Sequence, residues 1–173
     1  MVLAVATYAD PATRRMFDHV AARGVEVVLV MPRRIRHPFG PADVPETPWP
    51  TPGVLLERLD TWYSHDNGTH VVMRGLPGLI RRHRPDVIHC VLEPWSVTCL
   101  QVAALLATMP RGRRPRLGVQ AGETKPEQGS RVAAAIRKSL YRAMLRRCDY
   151  FMGWSPLVIR AAERMGLNGL PHS

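Results

Sequence analysis

Glu93, Pro94, Trp95 and Ser96 follow an apolar run and place a carboxylate, an indole and a hydroxyl within four residues. A carboxylate accepts hydrogen bonds from sugar hydroxyls, and an indole stacks on the C–H face of a sugar ring, so the group suits a polyol ligand. A purely structural assignment fits the same residues: Ser96 caps a helix, Trp95 packs and Glu93 is solvated. Gln120 and Glu123 form a second polar group, with Gly118 and Gly122 allowing a ligand to approach the backbone closely; a polar turn is the alternative. Tyr8 and Ser155 stand at the ends of two further apolar runs, the latter next to Trp154.

Several chemistries are not expected. His89 lies inside an apolar run and reads as a satisfied core histidine, while His65 and His70 flank Asn67-Gly68 in a turn. No pair of histidines has the spacing of a metal site, so no metal is expected. The first strand-to-helix junction, TYADPATRR, contains no glycine, which argues against dinucleotide binding and ATP hydrolysis. Cys90, Cys99 and Cys148 form neither a CxxC pair nor an even framework, and buried reduced thiols are expected.

These residues need a scaffold, and the hydrophobic pattern supplies one. Short β-rich runs alternate with longer amphipathic stretches, the pattern of a mostly parallel sheet with helices on both faces. Strands are expected at 2–8, 25–32, 54–61, 84–93, 116–121 and 148–155, with a strand end or turn at 71–75. Helices are expected from Pro11, over 76–84, over 94–109, from about 130 to 147 and over 156–166. Seven prolines between Pro32 and Gly53 exclude a helix or central strand there and predict a long loop. The result is one α/β, Rossmann-like three-layer sandwich over residues 1–173. In such sheets ligands bind at the C-terminal ends of the strands, which selects Tyr8–Thr13, Glu93–Ser96, Gln120–Thr124 and Trp154–Ser155.

Composition narrows the partners. The chain has 173 residues, 46% of them hydrophobic, enough for one core. No segment reaches the ~18 apolar residues of a membrane span, and the apolar start lacks a basic flank and meets Asp10, so it reads as a strand and not a leader. The net charge of +10 is almost wholly arginine, Lys125 and Lys138 being the two lysines. It favours anionic partners, although genomic base composition accounts for it equally well. Nucleic acid is not expected, because no strand interleaves aromatic and basic residues.

Three segments resemble the N-terminal domain of family 4 glycosyltransferases of the GT-B fold: DPATRRMFDHVAARGVEVVLVMP, RPDVIHCVLEPWSVTCLQVAALLA and IRKSLYRAMLRRCDYFMGWSPLVIRAAERMGL. The resemblance implies one GT-B half-domain that holds the acceptor, a glycan or lipid-linked molecule, while sugar is transferred with retention from a nucleotide-diphosphate sugar. It implies that Glu93, Trp95 and Ser96 line the cleft, with Tyr8 and Ser155 at neighbouring strand ends, and that Gln120 and Glu123 lie near the reacting groups. The nucleotide sugar is a co-substrate held mainly by a C-terminal donor domain absent from this sequence, or by a partner chain, and no cofactor is implied. Alone, the chain is expected to have negligible activity. A cytoplasmic location is expected, with peripheral contact at the inner membrane face through Arg33, Arg34 and Arg36, Arg81 and Arg82, and Arg111, Arg113 and Arg114. The alternative is a non-catalytic Rossmann-like binding or scaffold module.

Overall fold

The computed structural model describes residues 1–6, 11–37, 40–43, 51–64, 71–122, 130–167 and 169–172. In chain order the elements are β1 (Val2–Ala6), α1 (Pro11–Ala21), β2 (Val27–Pro32), β3 (Arg34–His37), β4 (Gly40–Asp43), β5 (Val54–Leu59), β6 (Thr61–Ser64) and β7 (Val71–Met73). They continue with α2 (Leu76–His83), β8 (Val87–Val91), α3 (Val97–Ala107), β9 (Arg116–Ala121), α4 (Arg131–Leu145), β10 (Tyr150–Gly153) and α5 (Pro156–Arg164).

Six strands form one parallel sheet in the order β10-β9-β8-β1-β2-β5. The chain builds outward from β1 through β2 to β5, then returns to the other side of β1 with β8 and builds away through β9 and β10. The direction of winding therefore reverses between β1 and β8, where an open α/β sheet leaves a crevice at its strand C-termini. The expected Rossmann-like sandwich is the observed fold.

Alternation along the strands divides the core in two. Leu3, Val5, Val28, Val30, Ile88 and Cys90 face one side and pack with residues of α2, α3, α4 and α5. Ala4, Ala6, Val27, Leu29 and Met31 face the other side and pack against Phe17 of α1. Gly24, with φ 78°, turns the chain from α1 towards β2 in a conformation that side chains other than glycine's disfavour. All three cysteines are buried and unpaired by disulfides. Burial pushes the Cys148 thiol up to about 11, and contact with Cys99 together with burial raises that of Cys90 well above the ordinary range. Such thiols stay protonated and unreactive at neutral pH.

Two segments differ from the sequence expectation. Within the proline-rich stretch, read as a loop, β3 and β4 form an antiparallel hairpin with Arg34 opposite Asp43 and Pro41 opposite Arg36. It forms a two-stranded sheet of its own, so the prolines keep this segment out of the parallel sheet without preventing local pairing. The strand expected over 54–61 ends at Leu59, and Thr61–Ser64 starts a second hairpin with β7.

The edge of β7 is satisfied by a helix and not by another strand. Thr98 Oγ1 donates to the Val71 carbonyl (2.6 Å) and accepts from the Val71 amide (3.3 Å). One turn further along α3, Gln101 donates to the Met73 carbonyl (2.8 Å) and accepts from the Met73 amide (2.9 Å). Helical i,i+3 spacing thus matches the i,i+2 spacing of a strand edge. Gln101→Leu leaves two buried backbone groups of Met73 without partners and is expected to cost about 2 kcal/mol. The measurement is thermal unfolding, with a midpoint about 6 °C lower, together with faster hydrogen exchange at the Met73 amide; unchanged exchange there would refute the assignment.

Candidate active site

Glu93 follows the end of β8, and its Oε1 accepts a hydrogen bond from the Gly122 amide at 2.8 Å, just past the end of β9. The Trp154 amide in turn donates to the Ala121 carbonyl at 3.0 Å, tying the end of β10 to that of β9. Gly122 lies between the two side chains. A Cβ there would stand 3.7 Å from Glu93 Oε1 and 3.9 Å from Trp154 Cγ. A carboxylate and an indole are therefore placed side by side at the C-terminal edge of the sheet, and the indole is 52% exposed.

The two tryptophans serve different ends. Trp95 is buried, with the Arg137 guanidinium of α4 5.5 Å from its ring centre, a cation–π arrangement. Its neighbour Ser96 is fully buried and caps α3, its Oγ accepting from the Cys99 amide at 3.2 Å. Trp95 and Ser96, expected to line the interdomain cleft, are both engaged within this domain: the indole packs against Arg137 of α4, and the hydroxyl satisfies a helix end. Ser155 is the opposite case, because it precedes α5 without making a capping hydrogen bond through its side chain. With Trp154, Ile159, Arg160, Glu163 and His172 it lines an open groove of about 520 Å³, within the range of small-molecule sites. A cavity of similar size, about 530 Å³, lies among Leu106, Met109, Arg114, Leu117 and Arg147. It opens near the start of β9, at the wrong end of the sheet for the strand-end chemistry of this architecture.

Gln120 belongs to a separate buried network. His89, Gly118 and Tyr150 occupy one row across β8, β9 and β10. Because Gly118 has no side chain, the Tyr150 ring lies across it and stacks on His89, with ring centres 5.7 Å apart and planes 6° apart. His89 Nδ1 is 2.9 Å from the Tyr150 hydroxyl, and Nε2 is 3.1 Å from Gln120 Oε1. Gln120 Oε1 can only accept, so Nε2 carries the imidazole proton and Nδ1 accepts from the Tyr150 hydroxyl, whose pKa burial pushes up to about 12. Nε2–H then donates to Gln120, which fixes a neutral His89 and orients the carboxamide. His89 is the satisfied core histidine that the sequence suggested, and it also positions a candidate residue.

The network has a pH signature. Burial lowers the His89 pKa below 6.5, and the Gln120 hydrogen bond only partly opposes this. As pH falls below 6.5, the unfolded chain takes up a proton that the folded chain resists, so stability is complete above that value and declines below it. The unfolding midpoint is expected to drop between neutral pH and about pH 5, with a shallower slope in His89→Asn. An imidazole that titrates at its ordinary pKa by NMR would contradict the buried network.

Among the described residues no group of three or more His, Cys, Asp or Glu is gathered as a metal site would require. Tyr8, Glu123, His65 and His70 lie outside the described residues. Sequence reasoning passed over Arg137 and Tyr150, and it selected Trp154 only as part of the Trp154–Ser155 strand end. Trp154 had a signal, standing between a strand-like run and Ser155-Pro156, but side-chain exposure is what separates it from Trp95.

No curated protein was found to match the chain. The model of the glycosyl transferase 4-like domain family matches residues 9–170. That match spans all five helices and every strand of the parallel sheet but the first, including the strand ends that carry Glu93, Gln120 and Trp154. The chain belongs to the glycosyl transferase 4-like domain family, which supports a glycosyltransferase-type function.

Proposed function

We propose that this chain is the acceptor-binding domain of a glycosyltransferase that moves a sugar from a nucleotide-diphosphate sugar with retention of configuration. The observation that carries the reading is the exposed Trp154 indole beside the Glu93 carboxylate across Gly122. The indole offers a face for stacking on a sugar ring, and Glu93 Oε1, which accepts from the Gly122 amide, has a second lone pair for a sugar hydroxyl. Ser155 adds a hydroxyl at the mouth of the adjoining groove, and Gln120, held by His89, lies one strand inward.

The donor is read as bound chiefly by a second domain, in the same polypeptide or on a partner chain. The first strand end here, TYADPATRR, has no glycine to bring backbone amides close to phosphates. The acceptor is a glycan or a lipid-linked molecule, and chemistry proceeds where the two domains meet. Without the donor side, little would stabilise the leaving nucleotide, so the chain alone is expected to be inactive.

Calorimetric titration of the purified chain with candidate acceptors and with nucleotides tests the reading. Acceptor binding without nucleotide binding supports it. Tight nucleotide binding, or turnover by the isolated chain, would overturn the division of labour. Acceptor binding with no transfer when a donor domain is supplied would favour the scaffold module, and product stereochemistry by NMR tests retention.

A further inference from the structure

The groove beside Ser155 combines an apolar surface with polar groups of several kinds. Gly153 lets α5 press directly onto β10, since a Cβ there would stand 2.7 Å from Ile159 Cδ1. Ile159, Pro156 and Trp154 supply the apolar surface of the groove. Arg160 and Glu163, both exposed on α5, bring a guanidinium and a carboxylate to it. His172 reaches it because the chain returns beside β10: the Phe151 amide donates to the Pro171 carbonyl at 3.0 Å, and His172 lies opposite Phe151 in parallel register. Its Nδ1 is 2.8 Å from the Leu170 carbonyl, so in the neutral ring Nδ1 carries the proton and Nε2 remains an acceptor.

These groups are not committed to one another. Arg160 and Glu163 stand three residues apart on one helix, a spacing that permits pairing, yet among the described residues they form no ion pair. The groove thus presents a strong donor, a strong acceptor, an imidazole nitrogen and the Ser155 hydroxyl around an apolar surface. A sugar ring has the matching form, with hydroxyls at its rim and C–H groups on its faces. An acyl chain would lie among charges that it cannot satisfy, and a phosphate drawn to Arg160 would meet the Glu163 carboxylate.

Trp154 borders both this groove and the Glu93–Gly122 position. One sugar ring placed between the indole and Glu93 leaves the groove, about 520 Å³ in volume, for whatever is attached to that ring. We propose that the β10–α5 groove is a second sugar subsite: the acceptor is a disaccharide or longer glycan, and Arg160, Glu163 and His172 select the unit next to the one that reacts. The inference rests on the acceptor reading, because the subsite continues from the position of Trp154 and Glu93.

Calorimetric titration of the chain with methyl glycosides of the common hexoses, and with the α- and β-linked disaccharides built from them, tests it. The best-bound disaccharide is expected to bind at least about 10-fold tighter than its component methyl glycoside, the worth of one hydrogen bond to a charged group. Arg160→Ala with Glu163→Ala should return the disaccharide to the affinity of the methyl glycoside, leave the methyl glycoside unchanged and leave circular dichroism unaltered, because both side chains are exposed. Arg164→Ala removes the same charge from the same helix outside the groove and should change neither affinity. A disaccharide that binds no tighter than the methyl glycoside, a double variant that weakens both equally, or an Arg164→Ala effect as large as that of the pair would overturn this inference and leave the acceptor reading intact. Absence of binding by every sugar of either length would remove the acceptor reading and this inference with it.

Discussion

Gly118→Ala is expected to destabilise the domain by about 3 kcal/mol, combining overpacking in a closed site with the loss of a buried hydrogen bond. A Cβ at this position collides with the Tyr150 ring, whose hydroxyl end lies over Gly118 and is held there by its hydrogen bond to His89. The ring must leave, and His89 Nδ1 then loses its donor. Thermal unfolding should show a midpoint lower by about 9 °C. The decisive control is a Tyr150→Ala background, in which the same Gly118→Ala change should cost less than about 1 kcal/mol because the obstructing ring is gone. Additive effects in that cycle would mean that the ring is not what Gly118 accommodates.

The second large effect concerns the site. In an intact enzyme, Glu93→Gln should lower acceptor affinity or kcat/KM roughly 10- to 100-fold, the worth of one charge-assisted hydrogen bond. The glutamine carbonyl still accepts from the Gly122 amide, so the unfolding midpoint should move little. Trp154→Ala should produce a loss of similar direction, again with little change in stability, because the indole is half exposed. Ser96→Ala provides the contrast. It removes a helix cap and should cost about 1 kcal/mol of stability while leaving acceptor affinity unchanged. If Ser96→Ala weakened acceptor binding and Glu93→Gln did not, the assignment of roles along this turn would be wrong.

Both effects trace to single residues whose importance depends on their neighbours. Read linearly, Gly118 is a glycine within a strand, and Glu93, Trp95 and Ser96 are equally good ligands on one turn. The structure separates them through contacts with residues far along the chain: Glu93 with Gly122, Trp95 with Arg137, and Gly118 with Tyr150. The hairpin β6–β7 shows the same limit. The sequence marks Val71–Met73 as a strand end, but the partners of its free edge are Thr98 and Gln101, on a helix 27 and 28 residues later.

By itself, the sequence determined the alternating α/β architecture, the strand ends at which a ligand could be bound, and the family to which the chain belongs. The first two follow from local periodicity, capping residues and prolines, whose effects act over a few residues; the third rests on the segments that resemble the family and on the family match over residues 9–170. Only the tertiary structure decided that β8 lies beside β1, that Trp154 and not Trp95 presents an indole to solvent, and that the Tyr150 ring lies over Gly118. Burial is a property of what the rest of the chain places on a residue, and two tryptophans with similar flanks acquire opposite roles when α4 covers one of them.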